Sequence, residues 1–136
     1  MKTLILFVSL IALTATASFA QCDKKVKFTS SKTEYVDSGG NLIRTEFEES
    51  VVKISKSEVA ITVYGESKGT FAVKSTTCDW KVPFKEGKMT ILGSMGEMNI
   101  SFTLEGKNGK LVANFVVEGR EDNTIRVTAD KFEEDI

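Results

Sequence analysis

Apolar and polar residues alternate with a period of two along most of the chain after Lys24. The apolar members of each run fall on one face, in these sets: Val26 and Phe28; Val59, Ile61 and Val63; Phe71 and Val73; Cys78, Trp80, Val82 and Phe84; Met98, Ile100, Phe102 and Leu104; Leu111, Ala113, Phe115 and Val117; Ile125, Val127 and Ala129. Strands with one dry face and one wet face are typical of antiparallel sheets rather than of buried parallel strands. The pattern predicts an all-β protein.

Short turn sequences separate these runs. They predict about nine strands, at 24–36, 42–55, 58–65, 69–76, 77–84, 88–93, 97–105, 110–118 and 124–131. Connections this short join neighbouring strands, so the predicted topology is a meander. The ten glycines of the chain are all interpreted as turn residues.

The segment 42–55 has two interpretations. Thr45 and Glu48 have the spacing of a helix capping box, and Phe47, Val51 and Ile54 fit one helical face. The β-branched residues of the segment favour instead one long strand, bent near Glu49 and Ser50. We expect the bent strand.

The first 20 residues have the form of a signal peptide. A positive start is followed by the apolar stretch 4–15 and by Ser18-Phe19-Ala20, a cleavage site of the small-x-small type. We expect export, with residues 21–136 as a single secreted or periplasmic domain and no segment long enough to cross a membrane as a helix. Lipid attachment at Cys22 is the alternative.

Two cysteines remain after that cleavage, Cys22 and Cys78. An even number of cysteines in an oxidising compartment favours a disulfide over a reactive thiol or a metal site. The predicted bridge ties the amino terminus to the middle of the sheet.

Charge and composition narrow the chemistry. The chain has no histidine and a formal net charge of −1, so the commonest general acid–base, the usual zinc ligand and any attraction to nucleic acid are all missing. Glu46, Glu48 and Glu49 form an acidic cluster. Glu46 and Glu48 would share the strand face opposite Phe47, and we interpret them as solvated surface. We expect no enzyme, no catalytic or metal-binding residues and no cofactor.

Large apolar side chains share the faces predicted to be internal. The candidate ligand-binding residues are Trp80, Phe84, Met98, Phe102 and Phe115. They either fill a packed core or line an apolar pocket inside a closed meander.

The strand pattern resembles the calycin group, the lipocalins and fatty-acid-binding proteins. The resemblance covers residues 21–136 as a pattern and implies an antiparallel meander of about eight to ten strands closing into a barrel; a β-sandwich is the alternative. A lipocalin carries Gly-x-Trp in its first strand, whereas Trp80 lies mid-chain, and Arg126-Val-Thr128 matches only the arginine of the Arg-x-Tyr of fatty-acid-binding proteins. Placing Arg126 inside conflicts with the alternation of Ile125 and Val127.

Two functions follow as hypotheses. The first is an exported, monomeric, non-catalytic barrel that binds a small apolar or amphipathic ligand. The second is a secreted sandwich that binds a protein or glycan through its surface. A dry internal pocket would favour the ligand-binding barrel, and an apolar surface patch would favour the interaction sandwich.

Overall fold

A computed structural model describes residues 24–135. The regular structure in this range is β-strand, which confirms the predicted all-β class. The strands are β1 (Val26–Ser30), β2 (Thr33–Val36), β3 (Leu42–Glu46), β4 (Ser50–Ile54), β5 (Glu58–Val63), β6 (Glu66–Val82), β7 (Glu86–Met95), β8 (Met98–Lys107), β9 (Lys110–Val117), β10 (Thr124–Thr128) and β11 (Lys131–Glu134). Within these residues no helix is long and apolar enough to cross a membrane. The predicted signal peptide and Cys22 lie outside the described range, so the bridge to Cys78 stays a prediction.

The strands form one antiparallel sheet. Their order is β11-β1-β4-β5-β6-β7-β8-β9-β10-β2-β3. From β4 to β10 each strand pairs with the next one along the chain, as the predicted meander requires. β1 pairs with β4 and β11, and β2 pairs with β10 and β3.

Residues 24–36 were predicted as one strand, and the structure divides them into β1 and β2. The hydroxyl of Ser30 donates to the carbonyl oxygen of Lys32 at 2.9 Å and accepts from its N–H at 3.2 Å. A serine side chain that bonds backbone two residues away competes with the ladder. The strand therefore breaks at Ser31 and Lys32.

The segment 42–55 is β-strand and not helix, but it forms two strands instead of the one long bent strand that was predicted. β3 and β4 are separated by residues 47–49. Tyr64 holds this break, because its N–H donates to the carbonyl of Glu49 at 2.8 Å and its hydroxyl donates to the carbonyl of Phe47 at 3.0 Å.

The predicted boundary between strands 69–76 and 77–84 is wrong. β6 is continuous and changes partner at Ala72, which pairs with Glu58 on one side and Ser94 on the other. Gly93 lies within β7, and a Cβ there would clash with the carbonyl oxygen of Ala72. Gly93 thus allows close contact between two backbones. The prediction that all ten glycines are turn residues is therefore wrong for Gly93.

One face of the sheet carries the core, as the alternation predicts. Its fully buried apolar side chains come from both halves of the chain: Val26, Phe28, Val59, Phe71, Ile91 and Leu104. Because adjacent strands contribute to the same face, their side chains form a single cluster.

Candidate functional site

A cavity of about 460 Å³ lies on the core side of the sheet, towards one end of the strands. Tyr35, Val63, Met98 and Val117 line it, and each lies at a strand end beside the turns 37–41, 64–65, 96–97 or 118–123. We call this end of the molecule the open end. Other lining residues come from β4, β6, β7, β8 and β10, so eight of the eleven strands contribute to the lining.

The inner wall of the cavity is apolar. Phe102 and Ile100 of β8 are buried, and Phe115 packs on the Phe71 ring with centroids 5.7 Å apart. Val52, Ile61, Val63, Val117, Ile125 and Val127 complete this surface. A concave apolar wall of this size suits a small organic molecule, since ligand pockets occupy about 300–1,000 Å³.

Charged and polar groups gather at the rim. Glu48 and Lys68 line the cavity where it meets solvent, and Met98, which also lines it, is 44 % exposed. The guanidinium carbon of Arg44 lies 4.1 Å from the centroid of the Tyr35 ring, within the range of a cation–π contact. The Nε atom of Arg44 is 3.7 Å from a carboxylate oxygen of Glu46. The rim therefore presents both charge signs around an apolar interior.

Three of the predicted ligand-binding residues lie together in this cavity: Met98, Phe102 and Phe115. Trp80 and Phe84 do not line it. They pack on Phe132 of β11, with ring centroids 6.1 and 5.1 Å away respectively. The predicted set is thus divided between the two ends of the sheet.

The opposite end is filled by aromatic rings, and we call it the closed end. Phe132 packs edge-on against Phe28 at 6.3 Å, in addition to its contacts with Trp80 and Phe84. Phe84 lies in the β6–β7 turn with a φ of 58°. This left-handed conformation is uncommon for a bulky residue. In this conformation the Phe84 ring packs on Phe132.

The break between β1 and β2 explains why the sequence did not indicate Thr33 and Tyr35 as lining residues. Phe28 and Ser30 are buried, and after the break Thr33 and Tyr35 line the cavity, so the alternation changes parity. The sequence offered no clear signal for Tyr35. By contrast, Ile61, Val63, Ile125 and Val127 were on predicted internal faces and were missed only as pocket residues.

The structure places one member of the acidic cluster, Glu48, in the lining of the cavity. Glu48 lines the cavity, while Phe47 is 78 % exposed on the other face. The expectation rested on burial of Phe47, but β3 lies beside β2 alone and nothing in the sheet covers its outer face. Glu46 and Glu49 are exposed, as the interpretation as solvated surface expects, and Glu48 is half-buried at the rim of the cavity.

Arg126 lies on the outer face, as the alternation requires. Its guanidinium is 3.3 Å from a carboxylate oxygen of Glu34 on the neighbouring strand β2. The flanking residues Ile125 and Val127 face the cavity. Arg126 therefore has no access to a ligand inside.

Two carboxylates stiffen turns at the open end. The Asn41 N–H, 2.8 Å from Asp37 Oδ1, is the main cause that lowers the pKa of Asp37, and the Gly39 N–H at 3.0 Å adds to it. The Gly119 N–H lowers the pKa of Glu121 in the same way. Neither carboxylate lines the cavity, so both act on the turns.

A second depression of about 450 Å³ lies near both ends of the described chain. Its lining includes Lys25, Lys53, Lys56, Glu58 and Asp135, and it has no aromatic wall. Within residues 24–135 no group of three acidic, cysteine or histidine side chains is placed to hold a metal ion. The cavity at the open end is the candidate site.

Comparison of the chain with protein-family models, with curated proteins and with solved structures finds no match.

Proposed function

We propose that this protein is an exported, non-catalytic β-barrel that carries a small apolar molecule in the cavity at its open end. The observation that carries the proposal is the apolar cavity of about 460 Å³, lined from eight of the eleven strands. An eight-stranded antiparallel barrel has an interior wide enough for one small ligand.

The pairing of the strands supports closure. Short breaks separate β1 from β2, β3 from β4 and β10 from β11. If each pair is treated as one bent strand, the eleven strands become eight, and β10–β11 pairs along β1–β2, the last strand with the first.

Hydrogen bonds continue this pairing across the breaks. The N–H of Asp130, between β10 and β11, donates to the carbonyl of Thr29 at 2.8 Å. The N–H of Ala129 donates to the carbonyl of Leu111 at 2.8 Å, which extends the β9–β10 ladder. In a closed barrel these bends fold the sheet around its core, and no edge is left open there.

Two neighbouring valines provide a matched test. Val117 lines the cavity, whereas Val116 lines a shallow depression on the outer face. Val117→Trp fills the cavity, so we expect it to abolish saturable binding of the neutral fluorescent probe N-phenylnaphthylamine. Val116→Trp is the control and keeps the binding. Equal binding by both folded variants, or no binding by the wild type, contradicts the carrier function.

A second function, protein binding at the open end, is favoured by one surface feature. Ile43 of β3 and Phe47, which directly follows this strand, are exposed, and Tyr64 lies beside Phe47. Exposed apolar groups in one place mark interaction surfaces. This function predicts that a partner co-purifies with the wild type in native mass spectrometry and is lost with Phe47→Ser, while probe binding is unaffected. Absence of any partner from both preparations contradicts it.

A further inference from the structure

A small polar patch interrupts the apolar wall of the cavity. Within residues 24–135 the buried polar side chains are Ser30, Thr33 and Ser50. Ser30 lies directly opposite Ser50 in the β1–β4 pairing, and Thr33 follows the two-residue break after Ser30. Two of the three, Thr33 and Ser50, line the cavity, and Ser30 does not.

The hydroxyls of Ser30 and Ser50 differ in their hydrogen-bond partners. Ser30 is occupied by the backbone of Lys32, where it holds the strand break. The hydroxyl of Ser50 is buried and has no hydrogen-bond partner among the described residues, and Ser50 as a whole is only 5 % exposed. A buried polar group without a partner is unfavourable, so its presence calls for an explanation.

We infer that Ser50, with Thr33 in the same cavity wall, anchors the polar group of the ligand, and that the ligand is an apolar molecule with one uncharged hydrogen-bonding group, such as an alcohol. This inference rests on the carrier function proposed above. Ser50 and Thr33 both line the cavity. Serine has three staggered χ1 positions, and rotation between them turns the hydroxyl towards a group held inside.

The surroundings of Ser50 favour a neutral group over a charged one. Along β4 and the residues before it, Glu48 lies at the rim, Ser50 below it and Val52 deeper in the apolar wall. The charged lining residues, Glu48 and Lys68, are both nearer to solvent. A carboxylate at the depth of Ser50 loses its hydration without gaining an opposite charge, whereas a hydroxyl group loses far less.

The test compares three ligands with the same hydrocarbon chain: octane, octanol and octanoate at neutral pH. Each displaces N-phenylnaphthylamine from the wild type, from Ser50→Ala and from the control Ser101→Ala, whose side chain lies on the outer face. We expect the wild type to bind octanol more tightly than the other two. Ser50→Ala lowers octanol affinity about three- to tenfold, the equivalent of one hydrogen bond, and leaves octane unchanged.

Thermal stability supplies a second readout. If Ser50 had a structural role, Ser50→Ala would lower the melting temperature of the ligand-free protein. Removal of an unsatisfied hydroxyl is instead expected to leave that temperature unchanged or raise it. A clear decrease contradicts the anchoring role.

The possible results of the binding test distinguish the anchoring role of Ser50 from the carrier function on which it rests. Octane and octanol binding equally, with no effect of Ser50→Ala, overturns the anchor while the carrier function stands. Tightest binding of octanoate overturns the neutral-ligand class. Failure of every compound and of the probe itself to bind overturns both.

Discussion

The two ends of the sheet are built from the same alternation of apolar residues but have different interiors. At the closed end Phe132 contacts Phe28, Trp80 and Phe84, and these rings occupy the space between the strands. At the open end aliphatic side chains such as Ile61, Val63 and Val127 leave a cavity. The same strand pattern thus yields a packed core at one end and, at the other, a cavity whose wall holds both aliphatic and aromatic side chains.

The largest effect is expected from truncation at the closed end. Phe28 is 0 % exposed and packs against Phe132. Phe28→Ala removes a fully packed ring and is expected to lower the free energy of unfolding by about 3–5 kcal/mol in denaturant titrations. Probe affinity of the folded protein stays unchanged. A large loss of affinity would show that the two ends are not independent.

A smaller stability loss is expected at the open end. Phe115 is half-buried and borders the cavity, so one side of its ring has fewer protein atoms to lose. Phe115→Ala is expected to cost less than about 3 kcal/mol, below the range for packed rings, and to change probe affinity clearly. A loss equal to that of Phe28→Ala would mean that both rings are packed alike.

Tryptophan fluorescence is expected to show a smaller difference between the two ends. The sequence suggests Trp80 as a ligand reporter because it shares a strand face with Cys78 and Phe84. Its position at the closed end predicts instead that its emission does not change when the cavity fills. In a protein carrying Trp80→Phe and Phe115→Trp the emission is expected to shift on titration with octanol. A saturable response from Trp80 in the wild type contradicts the separation.

The smallest effect concerns the turn of the β2–β3 hairpin. The pKa of Asp37 is lowered chiefly by the Asn41 N–H, so its contribution is present above the unfolded pKa and is lost as the pH falls through the lower folded value. Thermal melts should show Asp37→Ala slightly less stable than the wild type at neutral pH, with the difference vanishing in strong acid. A difference that persists in acid would assign the effect to something other than this charge.

Alternation was sufficient to predict the fold class, the meander and most of the core face, because a period of two determines which side chains share a face. It did not predict the breaks at Ser31 and Lys32, since they depend on the hydroxyl of Ser30 bonding the backbone of Lys32. The parity change that follows brings Thr33 and Tyr35 to the cavity.

The candidate site was predicted only in part for a related reason. Trp80 and Phe102 both lie on internal faces, and a one-dimensional pattern does not give their height along the strands. Height depends on register: Phe102 pairs with Phe115 and Ile91, while Trp80 pairs with Gly87 near the end of β6. The height of an inward-facing ring along its strand decides whether the ring fills the core or lines the cavity.

Methionine methyl NMR tests the difference between the two ends most directly. Met95 and Met98 line the cavity, and Met89 is buried in the core away from it. On titration with N-phenylnaphthylamine we expect the ε-methyl signals of Met95 and Met98 to move saturably together, while the Met89 signal stays in place. Equal movement of all three signals, or movement of Met89 alone, would contradict a ligand cavity confined to the open end.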